Sequence, residues 1–193
     1  MGVEMVSAES ASRPRYGALA PLPGTRQVIV ADDAGLAAAG RLIAAAPAGF
    51  AAAATLIAIA PAAALPAAGR TVTVAGIDEA IAALQALLEQ ADMGTRLYIA
   101  GADPTLALVR RAGLAAGLSA DAIAAEECGA PRRRVRCMHC ATIVDDVTEP
   151  RITCPSCGLE LAVRDHYSQR LAAYQGVWVG PGPVRITSAE TAS

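Results

Sequence analysis

No lysine occurs anywhere in the 193 residues; all sixteen basic side chains are arginine, and eighteen acids bring the formal charge to −2. A chain of that balance has no general attraction for polyanions, which argues against a nucleic acid as partner. Aromatic residues are also scarce, at 3%, with one Trp, one Phe and four Tyr. The core must then be packed by alanine and branched aliphatics, and any place where aromatics gather stands out. No apolar h-region follows Met1-Gly2-Val3-Glu4-Met5-Val6, so no secretory signal is expected and the setting is cytoplasmic. No charge falls between Leu42 and Gly69, a stretch long enough to cross a bilayer. Pro47, Pro61 and Pro66 divide it and alanine fills it, so it reads as a buried strand between loops with no membrane contact.

What the first two thirds does contain is a repeated alternation. Gln27 to Ala31, Ala54 to Ala60, Thr71 to Val74 and Thr95 to Ala100 are apolar runs of strand length, the first without the alternation of a half-exposed strand. Between them fall helical stretches. Asp32 or Asp33 caps one over 34–45, and Asp78 caps one over 79–90 with Ile81, Leu84 and Leu88 on one face. Asp103-Pro104 opens a third over 105–116, and Ser119 starts a short helical turn before a closing strand at Ile123 to Glu127. Alternating strands and helices predict an α/β fold, a doubly wound, mostly parallel, Rossmann-like sheet over residues 26–130. Residues 1–25, rich in Ser, Pro, Gly and Arg, read as an extended arm resting on the domain through Tyr16 and Leu22, and 181–193 as a flexible tail.

In such sheets ligands bind beyond the carboxyl ends of the strands, which directs attention to Ala31-Asp32-Asp33-Ala34-Gly35 and Gly101-Ala102-Asp103-Pro104. Pyrophosphate binding needs a glycine-rich turn so that amides can approach the phosphates. Two carboxylates stand there instead, and like charges at close range near a protein surface oppose each other by about 4 kcal/mol per pair. The turn therefore disfavours NAD(P) and favours a domain kept as a scaffold or docking surface.

Residues 131–180 carry the strongest signal. Cys137-Met-His-Cys140 and Cys154-Pro-Ser-Cys157 are two Cys-x-x-Cys pairs separated by thirteen residues, the spacing of a four-cysteine metal site. Gly158 suits the positive φ that follows such a knuckle, whereas the first knuckle is followed by Ala141. Residues 142–147 and 159–163 read as short strands of a rubredoxin-like zinc ribbon. Four thiolates accept zinc or a single iron; the short loop favours structural zinc, with iron as the alternative. His139 and His166 are surplus to a full set of thiolates, and Cys128 reads as a small buried apolar residue.

The basic run Arg132-Arg133-Arg134 offers a nucleic-acid-binding regulator as an alternative function, against which stand the acidic total and the lack of interleaved aromatics. Arg164, Asp165, His166, Tyr167, Arg170, Tyr174 and Trp178 concentrate half the histidines, half the tyrosines and the tryptophan of the chain. They read as a partner-docking surface; Tyr167, Leu171 and Tyr174 also share a helical spacing that fits a short helix packed on the ribbon.

Two resemblances attach to these residues. Thr95 to Cys128 resembles the end of the pyridine-nucleotide half of ferredoxin-reductase-type flavoenzymes, keeping Gly101 and acids at Glu126 and Glu127 but with alanine at position 100 and Pro104 displaced. Arg15-Tyr16, Gly94-Thr95-Arg96-Leu97-Tyr98, Cys-x-His-Cys and Val-Arg-Asp-His-Tyr-Ser-x-Arg-Leu-x-Ala-Tyr-x-Gly-Val resemble the small, zinc-ribbon-containing subunit of bacterial dimethylamine monooxygenase. That resemblance implies an accessory subunit of an NAD(P)H-dependent complex that demethylates a secondary amine. It implies two partners that carry the chemistry: a haem-dependent demethylase subunit, and with it a flavin and iron–sulfur reductase subunit. An electron relay through iron in the four cysteines is the variant within this reading.

Overall fold

The computed structural model describes residues 16–180. The expectations placed on 1–15 and 181–193 lie outside them.

Five parallel strands form the first sheet: β1 (Arg26–Asp32), β2 (Ala54–Ile59), β3 (Arg70–Val74), β4 (Thr95–Gly101) and β5 (Ile123–Glu127). Their order is β3-β2-β1-β4-β5, all neighbours parallel, so the direction of winding reverses between β1 and β4. The helices are α1 (Leu36–Ala45), the short α2 (Phe50–Ala53), α3 (Ile77–Leu88) and α4 (Asp103–Ala115). Strand alternation delivers two cores. Val28, Val30, Ile57, Leu97 and Ile99 meet Leu84 of α3 and Leu106 and Val109 of α4. Ile29, Leu56, Ala58 and Tyr98 face the other way, onto Leu36, Ala39 and Leu42 of α1 and onto Phe50. Central strands covered on both faces explain the continuous apolar runs.

Several boundaries differ from expectation. A single 3₁₀ turn, Asp33–Gly35, precedes α1, and Asp32 caps it by accepting from the Gly35 amide. Asp78 is not a cap: Gly76 holds that place, and the Glu79 carboxylate reaches back to the Ala75 amide at 2.9 Å. Helix α4 begins at Asp103 rather than at 105, with Pro104 in its first turn, where a missing amide costs nothing. Among the described residues no helix is long and apolar enough to cross a membrane.

The arm rests on the sheet as expected and goes further. Tyr16 packs on the α3/α4 side, Leu19 and Leu22 on the α1 side. The Leu19 amide donates to Glu126 of β5 at 2.8 Å, and the Leu22 amide to the buried Tyr98 hydroxyl at 2.9 Å, so the arm passes round the β5 edge. Tyr98 in turn donates to Gln27 at 2.9 Å, leaving its phenol satisfied inside an apolar core.

The second sheet consists of β6 (Arg133–Cys137), β7 (Ile143–Val147), β8 (Arg151–Thr153), β9 (Glu160–Ser168) and β10 (Ala173–Trp178), in the order β7-β6-β10-β9-β8. Only β10 and β6 run parallel; the remaining pairs are antiparallel. No helix spans Tyr167 to Tyr174. The segment is the turn of the β9–β10 hairpin, with Ala172 in the left-handed region at φ 51° and Tyr167 directly opposite Tyr174. A spacing of seven places two residues together on a helix, and equally across a hairpin whose strands begin to pair at Ser168 and Ala173. Their rings meet edge to face, 5.0 Å apart at 64°, and with Val135 and Val147 they form a core that closes onto Ala107 of α4.

Candidate metal centre and the switch point of the first sheet

The two knuckles are built alike. After β6, the Cys137 amide donates to the Thr142 carbonyl at 2.8 Å and the Ala141 amide returns to the Cys137 carbonyl at 3.0 Å. After β8, Cys154 bonds Leu159 at 2.9 Å and Gly158 bonds Cys154 at 3.0 Å in the same pattern. Both turns require a residue at positive φ, which Gly158 supplies at 72° and Ala141 at 63°; only the second is free of the Cβ penalty.

These turns bring the four sulfurs within 4.8 Å of one another. Cys137 and Cys157 are 3.8 Å apart, and Cys140 and Cys154 3.6 Å. A tetrahedral ion with metal–sulfur bonds of about 2.3 Å sets its sulfurs about 3.8 Å apart, so these two separations fit a metal held by all four residues. Cys137 and Cys154 are buried against Leu161, while Cys140 and Cys157 are partly exposed. The thiols compete for protons. Cys140 is held down to about 5, first by its hydrogen bond with the Thr142 hydroxyl. At Cys157 the Leu159 amide favours the thiolate, yet desolvation and the three neighbouring sulfurs outweigh it and push the group up to about 12. Four thiolates this close need a cation among them. Among the described residues these cysteines are the one such cluster, and neither His139 nor His166 belongs to it.

The switch point of the first sheet is settled differently. At the end of β1, Asp32 accepts from the Gly35 amide at 3.1 Å, the Ala102 amide at 2.8 Å and the Thr105 hydroxyl at 2.7 Å. Its carboxylate sits between the first turn of the α1 segment and the start of α4, where phosphates lie in dinucleotide-binding sheets. Gly101, at φ 153°, leaves the room: a Cβ there would fall 2.2 Å from Asp32 Oδ2. Asp33 spends itself likewise, accepting from the amides of Ala62 and Ala63. The cleft outside is about 350 Å³ and is bordered by Asp32, Asp33, Cys128 and Asp146. Burial raises the Cys128 thiol above its ordinary value, with the Glu126 and Asp32 charges adding to it, so the surroundings disfavour the thiolate.

The segment read as a docking surface divides. Arg164, Asp165, His166 and Arg170 are exposed, and Trp178 is 54% exposed at the end of β10. Tyr167 and Tyr174 are not surface anchors: they are buried, and desolvation raises the Tyr167 phenol well above its usual value. The basic run is also occupied. Arg132 pairs with Asp146, Arg134 with Asp145, and Arg133 lies 5.6 Å from the Tyr174 ring centre. The acids of β7 were the missed signal: Asp145-Asp146 is placed by the β6–β7 pairing to neutralise these arginines.

Comparison with known proteins follows the same division. Residues 134–177 match the dimethylamine monooxygenase subunit DmmA-like C-terminal domain, and residues 9–123 the corresponding N-terminal domain. A curated relative, the heme-dependent oxidative N-demethylase delta subunit of Ectopseudomonas mendocina (strain ymp), is 39% identical over 94 residues, 49% of this chain and 54% of the relative. The aligned stretch thus spans about half of either protein. With the N-terminal domain of the family matched over more than half of this chain and the C-terminal domain over most of the four-cysteine sheet, the chain belongs to the dimethylamine monooxygenase subunit DmmA-like family.

Proposed function

We propose that the protein is a non-catalytic subunit of a multisubunit, NAD(P)H-dependent, haem-dependent oxidative N-demethylase acting on dimethylamine or a similar secondary amine. In this reading it docks a flavin and iron–sulfur reductase subunit onto the haem-bearing demethylase subunit, and those two carry the redox chemistry. The observation that carries it is Asp32. The amides that would cradle a dinucleotide phosphate are already bonded to this carboxylate, so the sheet supports other proteins rather than binding NAD(P). The relative's description as the delta subunit of a heme-dependent oxidative N-demethylase supports the class of complex.

Zinc in Cys137, Cys140, Cys154 and Cys157 supplies a cross-link and no redox chemistry. It ties the end of β6 to the turn between β8 and β9, and so fixes the sheet that presents Arg164, Asp165, His166, Arg170 and Trp178 to a partner. Co-expression with the haem and reductase subunits tests this. Cys154→Ser is expected to lose the metal and its place in the complex together; a metal-free variant that still assembles overturns the docking role. A red, reducible wild-type protein would assign iron and an electron relay instead. Calorimetric titration with NADPH is expected to show no binding.

A further inference from the structure

Helix α4 belongs to both sheets. Leu106 and Val109 enter the core of the first, and Ala107 packs with Tyr167 and Tyr174 of the second. Beside it opens a cleft of about 380 Å³ lined by the apolar Ala107, Ile123 and Ala125 and by Tyr16 and Tyr167. Arg110 and Arg111 line it as well. The Arg111 guanidinium donates to the Arg170 main-chain carbonyl at 3.4 Å, so the exposed residue Arg170 lies next to Arg111 in space.

Four of the thirteen described arginines are held by an acid. Arg41, Arg132, Arg134 and Arg151 each pair with a carboxylate. Among the described residues Arg110, Arg111 and Arg170 form no ion pair, although Arg110 is half-buried. The acids that bear on this region, Asp103 and Glu127, act on the Tyr16 phenol and have contacts of their own. Leu114, 38% exposed, adds an apolar edge to the cationic rim.

We infer that this cleft receives an acidic segment of a partner subunit carrying an apolar side chain next to its carboxylates. The carboxylates meet Arg110, Arg111 and Arg170, and the apolar group enters between Tyr16 and Tyr167. A small free anion is recognised by donors that converge on one buried point. Here the guanidiniums are spread along α4 and the β9–β10 turn and two of them are exposed, an arrangement suited to an extended chain. The inference rests on the subunit reading and gives its partner a chemistry and a place.

The test measures binding of the purified haem-bearing and reductase subunits to the wild-type chain, to Arg110→Glu/Arg111→Glu and to Arg70→Glu. The last makes the same change of charge on β3, the opposite edge strand of the first sheet. The double variant is expected to bind roughly a hundredfold more weakly, with a flattened salt dependence, because like charges across an interface are strongly unfavourable. Leu114→Ala weakens binding a few-fold, and Arg70→Glu leaves it unchanged. Metal content and circular dichroism report folding, and Arg110→Gln/Arg111→Gln replaces the double variant if that one misfolds. Equal binding by the wild type and the folded double variant overturns this inference alone. Failure of the wild type to bind either subunit overturns the subunit reading as well. Saturable binding of citrate by the isolated wild type, lost in the double variant while assembly persists, overturns it in favour of a small-molecule site.

Discussion

At the end of β1 the chain provides its own anion, the Asp32 carboxylate, to the amides of Gly35 and Ala102. At the two knuckles of the second sheet it provides four thiols that can all ionise only around a metal ion. The first sheet is closed from within by its own charge and by an aliphatic core on each face. The second has one small core around Tyr167 and Tyr174 and a cysteine cluster with little apolar bulk. One sheet fills its own switch point, the other gathers four cysteines that could hold a metal, and helix α4 packs on both.

The sharpest way to break this contrast is to remove the metal. Chelation, or Cys154→Ser, is expected to unfold the second sheet, because the binding free energy of a structural zinc, about 10 kcal/mol or more, is also folding free energy. The first sheet should retain its far-ultraviolet dichroism while Trp178 fluorescence changes; loss of both halves at once would show that they are a single cooperative unit. Leu84→Ala strikes the first sheet in the same spirit. Leu84 is wholly buried between α3 and the strands, and its truncation is expected to cost about 2–5 kcal/mol in denaturant unfolding, with metal content unchanged. Asp32→Ala leaves two amides and the Thr105 hydroxyl without their acceptor. It should cost about 3 kcal/mol, and Asp32→Asn less, since a carbonyl oxygen can still accept. At the small end, Arg134→Ala removes a pair whose acid is 59% exposed and should shift stability by less than about 1 kcal/mol.

Alkaline pH probes both halves together. Tyr16, Tyr98 and Tyr167 have phenols raised above their ordinary value, in each case chiefly by desolvation. A raised folded value means that the neutral phenol is favoured in the fold. That contribution is fully present below about pH 10 and is lost as pH rises through the folded values. Absorbance at alkaline pH is expected to show these tyrosines ionising together with unfolding, not before it.

How far the sequence discloses this molecule depends on the kind of signal. The parallel strands are legible because a strand covered on both faces must be apolar at every position, as Val28 to Ala31 are. The four-cysteine cluster is legible because metal coordination asks for residue type and spacing together. The β9–β10 hairpin is not, since Tyr167 and Tyr174 satisfy a helical spacing and a cross-strand pairing equally well, and only the partner strand β6 decides between them. The arginine-lined cleft is also illegible in sequence. Arg110 and Arg111 lie within an ordinary helical pattern, and Arg170 comes beside them only when the second sheet docks on α4.

The position of β10 has a further consequence. It is the central strand of the second sheet, lying between β6 and β9, yet it is the last of the five in the chain. During synthesis all four cysteines, and the β6–β7 and β8–β9 hairpins, are complete before the strand that joins the two hairpins into one sheet emerges. Each of them then has an unpaired inner edge of the kind that seeds aggregation. Completion waits for residues 173–178 to slot between them, so truncation before Ala173 is expected to yield a metal-loaded but sticky product rather than a smaller folded one.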